Sequence, residues 1–263
     1  MSETNDTVLF DQHNAVVTLT INRPDVRNAF NPDVIERLID SLNRIEADET
    51  VRAVIIKGGG DHFSAGADLN WMKATASYSE EENLKDAKTI ALLMSTLNYL
   101  NKTTICIVSG SVFGGAVGLV ACCDLVIAEQ DAKFCLSEVK LGLSPAVISP
   151  YIIKAIGENY ARRWMLTAEV FTSKEAYHMG LVHKVIEKSE LESASQHYSN
   201  LICQNGPKAM AATKALISYV VQGPTDDRLD TMTAKVIAGL RASEEGQEGL
   251  TSFLEKRKPD WAT

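Results

Sequence analysis

"TICIVSGSVFGGAVGLVACCDLVIA", residues 104–128, runs from one apolar segment through paired glycines and a string of small residues into a second apolar segment. Isoleucine and valine alternate with small residues at both ends, which reads as strand. The middle opens with Gly114 and Gly115 and continues in small apolar residues, which reads as a short helix closely packed on its strand. A strand, a helix and another strand in that order pair in parallel, so the stretch predicts an α/β fold.

Working outward, further strand-like runs lie at 15–21, 52–58 and 181–186. Between them, Asn31 can cap a helix that has Pro32 in its first turn and Val34, Leu38, Leu42 and Ile45 at helical spacing. A longer helix is predicted from about Ser79, with Glu80 to Glu82 in its acid-rich first turn, to about Leu100. After residue 190 the strand signal stops. Four amphipathic helices follow, near 191–204, 207–221, 226–242 and 244–256, and they are expected to pack on the core or on a partner subunit.

Composition narrows the function. The chain has 263 residues, enough for a sizeable core, and a net charge of −8, which argues against a nucleic-acid groove or a polybasic membrane contact. The polar, acidic start predicts no signal peptide, and no apolar run approaches the ~20 residues of a membrane span, so a cytoplasmic protein is expected. Cys106, Cys122, Cys123, Cys135 and Cys203 form no CxxC pair and read as small buried hydrophobes. His178 and His183, five apart, do not share a helical face, so no metal site is predicted. HExxH, GxSxG, GxxxxGK[ST] and a dinucleotide-type GxGxxG are all absent.

Two features share one shape. "VIIKGGGDHFSAGADL" (54–69) and "TICIVSGSVFGGAVGLV" (104–120) each end an apolar strand in glycines and a small-residue turn. Such turns expose main-chain N–H groups, which carry partial positive charge at a helix start, and two side by side would make an oxyanion hole. The plainer alternative is tight packing at Gly114 and Gly115 and an ordinary turn from Ala65 to Asp68. A third feature is Glu138 in "AKFCLSEVKLGLSPAVISPYI" (132–152), just past the strand-like "KFCL" and flanked by Leu136, Val139, Leu141 and Leu143. Poor solvation there would raise its pKa, as a general acid/base requires, whereas an ion pair with Lys140 or Arg162 would give it a structural role.

Taken in order, "INRPDVRNAFN", "HFSAGADLNWMK", "SGSVFGGAVGLVACCDLVIA", "FCLSEVKLGL", "SKEAYHMGLVHKV" and "EEGQEGLTSFLEKRKPDW" resemble the enoyl-CoA hydratase/isomerase (crotonase) superfamily over essentially the whole chain. "SAGADLNWMK" and "CLSEVKLGLSPAVISPYIIKAIGE" look most like its bacterial methylglutaconyl-CoA hydratases of leucine or isoprenoid catabolism. The resemblance implies a spiral of ββα units over residues 1–190, forming two sheets and carrying the active site. It also implies a helical region over residues 191–263 that builds trimers, often paired into hexamers.

The substrate so implied is an acyl-CoA thioester, with no other cofactor, no metal, no nucleic acid and no membrane. The two oxyanion donors fall on the N–H groups of Ala65 and Gly115. CoA contacts fall on Arg27 and Ala29, on Ala65, Gly66, Ala67, Asp68 and Leu69, and on Phe253 and Lys256, the last two reaching a neighbouring subunit's CoA. Glu138 matches the second of two family glutamates, while Gly118 stands where two-acid hydratases carry the first. That glycine is expected to leave room for water or a bulky acyl group, and Trp71 and Lys73 are candidates for the acyl pocket. A hydratase acting on a branched or carboxylated 2-enoyl-CoA is therefore expected. A Δ3,Δ2-enoyl-CoA isomerase using Glu138 alone, or a silent CoA- or RNA-binding scaffold, remains open.

Overall fold

The computed structural model describes residues 6–262; the stretch read as lacking a signal peptide lies partly outside them, at residues 1–5. The strands are β1 (Val8–His13), β2 (Val16–Ile21), β3 (Ala53–Gly58), β4 (Thr103–Val108), β5 (Ser111–Phe113), β6 (Leu125–Glu129), β7 (Lys133–Cys135), β8 (Phe171–Thr172) and β9 (Lys184–Ile186). The helices are α1 (Pro32–Ala47), α2 (Leu69–Thr75), α3 (Glu80–Asn98), α4 (Gly115–Ala121), α5 (Ser149–Thr167), α6 (Ser173–His178), α7 (Leu191–Cys203), α8 (Pro207–Gln222), α9 (Asp227–Ala242) and α10 (Glu244–Leu254).

A six-stranded sheet runs in the order β1-β2-β3-β4-β6-β9, and a three-stranded sheet in the order β5-β7-β8. Within the large sheet only the β1–β2 hairpin is antiparallel; β2 through β9 pair in parallel, as the strand–helix alternation requires. Its central strands are buried on both faces. Alternate residues divide between two cores: Val54, Ile56, Cys106, Val108, Val126 and Ala128 point into the larger one with α1, α3 and α4. Ala53, Ile55, Ile105, Ile107 and Ile127 point the other way, where Leu191, Ala194 and Ile202 of α7 cover them.

The helix ends follow their residue chemistry. The Asn31 side chain accepts from the Val34 N–H at 2.9 Å at the head of α1, and Ser79 with Glu82 closes a capping box on α3. The four helices after residue 190 begin and end within two residues of their expected limits. Cys106, Cys122, Cys123 and Cys135 are buried, and Cys203 is partly so. Among the described residues no helix is long and apolar enough to cross a membrane.

Candidate active site

The site grows from the small sheet. β5 pairs with β7, Phe113 opposite Cys135, and its other edge meets the first glycine-rich turn through a bridge between Ser64 and Val112. That turn is itself bridged to the N-terminal segment, Phe30 against Ala67. Four segments from distant parts of the chain thus lie side by side, and each delivers one component where its strand pairing ends.

Peptide planarity aims the donors. Among the described residues all peptide bonds are trans, so each C=O and the N–H that follows it point in opposite directions. Phe30 N–H donates to the Gly66 carbonyl at 2.7 Å, so the Ala67 N–H on the same peptide faces away from the Phe30 backbone, and among the described residues it meets no acceptor. Val117 N–H donates to the Gly114 carbonyl at 2.9 Å, which turns the Gly115 N–H out of the head of α4, where no helical partner exists. Gly114 has φ 54°, a conformation that glycine adopts without strain. Gly66, at φ 91°, lies so close to β5 that a Cβ there would stand 2.8 Å from the Phe113 carbonyl oxygen.

Ala65 differs from its expected role: its N–H already donates to the Arg27 carbonyl at 2.9 Å. The unpaired N–H in this turn belongs to Ala67, two residues on. Ala67, Gly115 and Glu138 line one cavity of about 220 Å³, whose remaining walls include Phe30, Ile35, Trp71, Leu93, Met94 and Ile148.

Glu138 follows β7 by three residues and opens a single helical turn that ends at Gly142 in the left-handed conformation. Its carboxylate reaches back toward the head of α4, within 3.3 Å of where a Cβ on Gly114 would be. Neither Lys140 nor Arg162 pairs with it; Arg162 lies near Glu158 instead. Oε2 is buried without a hydrogen-bond partner among the described residues. Burial holds the carboxyl above the ordinary glutamate range. The expected direction is found, and the neighbours proposed for it divide: Leu136 is buried and Leu143, though exposed, lines the cavity, whereas Val139 and Leu141 are exposed and off its lining.

Gly118 requires a correction. It is buried beneath Ile148, whose Cγ2 lies 2.2 Å and Cβ 2.7 Å from the place a Cβ at 118 would occupy, with Met94 Sδ at 3.3 Å. The space is filled by isoleucine rather than left open, and Ile148, not Gly118, lines the cavity. Trp71 lines the cavity too and donates its indole N–H to Asp86 at 3.2 Å, whereas Lys73 is not among the lining residues.

Arg27, exposed at φ 51°, and Ala29, buried, lie in the N-terminal segment beside the turn, and Leu69 is exposed at the head of α2. Asp68 is buried, its side chain capping α2 and pairing with Arg23. Burial alone would raise its pKa, but the Arg23 bond and the Asn70 and Trp71 N–H groups together hold it below the ordinary aspartate value. Phe253 and Lys256 are exposed at the C-terminal end and take no part in the cavity walls. His183 accepts the Val126 N–H through Nδ1, so that ring is committed to the fold. A larger cleft, about 700 Å³, lies under α8 and contains the Asp124–Lys214 pair. Of these two, the smaller cavity joins unpaired donors to a carboxylate whose Oε2 has no partner among the described residues.

A sequence profile described as enoyl-CoA hydratase/isomerase matches residues 11–263. The chain is 32% identical to the short-chain-enoyl-CoA hydratase of Clostridium acetobutylicum, over 95% of both chains. It is 31% identical to the 2,3-dehydroadipyl-CoA hydratase of Escherichia coli, over 97% of this chain and 98% of that one. The crystal structure of an enoyl-CoA hydratase from Shewanella pealeana superposes with a TM-score of 0.95 at 42% identity, over 98% and 97% of the two chains. The architecture is therefore the crotonase fold. The protein belongs to the enoyl-CoA hydratase/isomerase family.

Proposed function

We propose that this protein adds water across the double bond of a 2-enoyl-CoA thioester in the cytoplasm, with Ala67 and Gly115 N–H groups holding the thioester oxygen and Glu138 moving the proton. The observation that carries this reading is the half-buried Glu138, whose Oε2 has no partner among the described residues, on a cavity that two unpaired N–H groups also line. Ionised Glu138 takes a proton from water as the oxygen attacks C3, and negative charge collects on the thioester oxygen. Two fixed donors stabilise that charge, one such donor typically contributing ~3 kcal/mol. The protonated Glu138 then returns the proton to C2, so hydroxyl ends on C3 and hydrogen on C2. This chemistry requires no metal or redox group, and the substrate brings its own CoA.

The acyl group we favour is branched or carboxylated, of the 3-methylglutaconyl type. Support comes from the resemblance of 64–73 and 135–158, and from a relative named for a dehydroadipyl thioester. The apolar walls suit the alkyl part, and with no Lys, Arg or His on the lining a carboxylate belongs at the mouth. Arg27, Ala29 and the 66–69 turn flank the CoA path, and Phe253 and Lys256 serve a neighbour's CoA in a trimer. Glu138→Gln is expected to lower kcat about a hundredfold or more with the circular dichroism unchanged. Retention of most activity would overturn the role of Glu138.

A second reading has its own observation. Ile148 fills the space over Gly118, so Glu138 is the one carboxylate on the cavity lining, and a single acid moving a proton between C2 and C4 suffices for an isomerase. Labelled solvent oxygen in the product of a 2-enoyl-CoA identifies hydration; conversion of a 3-enoyl-CoA without label identifies isomerisation. Turnover of either excludes a silent CoA- or RNA-binding scaffold.

A further inference from the structure

The peptide that carries the Ala67 N–H and the one that follows it are both tied to the N-terminal segment. Phe30 N–H holds the Gly66 carbonyl and Phe30 C=O receives the Asp68 N–H, each at 2.7 Å. One side chain braces both strands of this bridge: Arg23 donates through Nη1 to the Ala29 carbonyl at 2.6 Å and through Nη2 to Asp68 Oδ2 at 2.9 Å. Asp68 Oδ1 accepts from the Asn70 and Trp71 N–H groups at 2.8 and 3.3 Å. Both of its oxygens are therefore occupied inside the protein, and its side chain is 8% exposed. The base of Arg23 is fixed in turn, because its N–H donates to Asn28 Oδ1 at 2.8 Å. Asn28 is fully buried and gives its amide hydrogens to the Gly59 and His62 carbonyls, so the segment is pinned to the loop that leads into the donor turn.

We propose that the Arg23–Asp68 ion pair is a positioning device for the Ala67 N–H, and that Asp68 acts through that donor rather than by touching CoA. The inference rests on the reading of Ala67 as an oxyanion donor. Without the pair, the Gly66–Ala67 peptide keeps its bridge to Phe30 but is free to tilt, and misplacement of a reacting group by about an ångström costs on the order of a hundredfold in rate. Binding of CoA, whose contacts lie along the exposed side of the turn, is left largely intact.

The test uses the full chain as wild type, Arg23→Gln, Asp68→Asn and the double variant, with Arg23→Lys as the conservative rescue. Asparagine retains the α2 cap through its one oxygen and turns its amide NH2 toward Arg23, so Asp68→Asn breaks both the ion pair and its hydrogen bond while the cap stays. Acetyl-CoA carrying a 13C-labelled thioester carbonyl is bound to each, and its dissociation constant and difference infrared carbonyl frequency are measured. Turnover of crotonyl-CoA and 3-methylglutaconyl-CoA is followed in parallel.

The expected result is a carbonyl band shifted to lower frequency by the wild type, with the shift shrinking in both single variants and partly restored by lysine. Dissociation constants should stay within about threefold, kcat should fall about ten- to a hundredfold, and the double variant should be no worse than the poorer single. An affinity loss that matches the loss in kcat/KM would make Asp68 a CoA contact and overturn the proposal, as would variants with the wild-type band. A shifted wild-type band without turnover of either thioester would defeat the proposed reaction while leaving the positioning role standing.

Discussion

For Glu138, the proposed work as a base and the burial of its side chain make opposed demands on charge. Burial holds its carboxyl above the ordinary glutamate range, so folding favours the protonated form. As pH rises, the unfolded chain ionises first, the folded state then holds the extra proton, and stability falls through the interval between the two pKa values. Below the ordinary glutamate value the penalty is absent; above the folded value it is complete. Glu138→Gln should therefore be more stable than the wild type at neutral pH, with the difference vanishing in acid, measured by urea unfolding along a pH series. The wild type's kcat/KM should decline as pH falls through the same raised value, since the base must be ionised. At Gly118, an added methyl meets the branched, backbone-near atoms of Ile148. Overpacking of about 1–3 kcal/mol should outweigh the helix preference of alanine, so Gly118→Ala should lower the urea midpoint; Ile148→Ala is destabilising by itself, but Gly118→Ala should cost less in that background than in the wild type, because the Cγ2 contact is gone.

Elements divide their work by face. α7 closes the side of the sheet away from α4, with Ile202 packed among Ile55, Ile105 and Ile127. Ile202→Ala is expected to cost about 2–4 kcal/mol in unfolding free energy while leaving kcat unchanged at temperatures where the protein is folded. A parallel fall in kcat would mean that this face communicates with the site. The long elements were legible in the sequence because their periodicity spans enough residues to stand out: α1 and α3 carry caps as well, and the four late helices repeat their apolar face over several turns. β1 was not legible, since "VLFDQH" places Asp11, Gln12 and His13 in what proves to be an edge strand buried only at Val8. β5, β7 and β8 have two or three residues each, too few to express a period, although "KFCL" hinted at β7.

The whole molecule explains why the site was only partly readable. Sequence identified both turns and Glu138, because glycine, small residues and an acid in apolar surroundings are local signals. It missed Ala67 by two residues, because which N–H stays unpaired is decided by Phe30 and Arg27, more than thirty residues away. Ile148 over Gly118 is likewise a contact across thirty residues. At this scale the C-terminal region presents Ile217, Val221, Phe253 and Leu254 at 61%, 67%, 80% and 77% exposure. Apolar side chains left open to this extent suit association of copies. Sedimentation of the wild type should give three times the chain mass or a multiple of it, and Ile217→Glu should yield a smaller species; a monomeric wild type would overturn the proposed trimer.

The side-by-side arrangement of Phe30, the 64–67 turn, β5 and β7 also sets an order in time. A ribosome releases the N-terminal hairpin, α1 and the first donor turn long before the acid exists. The second donor can be seated only once β5 has β7 to lie against, and Glu138 becomes enclosed only after Ile148 has emerged to form its wall. More than half of the chain must therefore leave the exit tunnel before any donor faces any acid. The cavity is in this sense a late product of synthesis, and a nascent chain stalled before that point carries the first glycine-rich turn without the enclosed carboxylate.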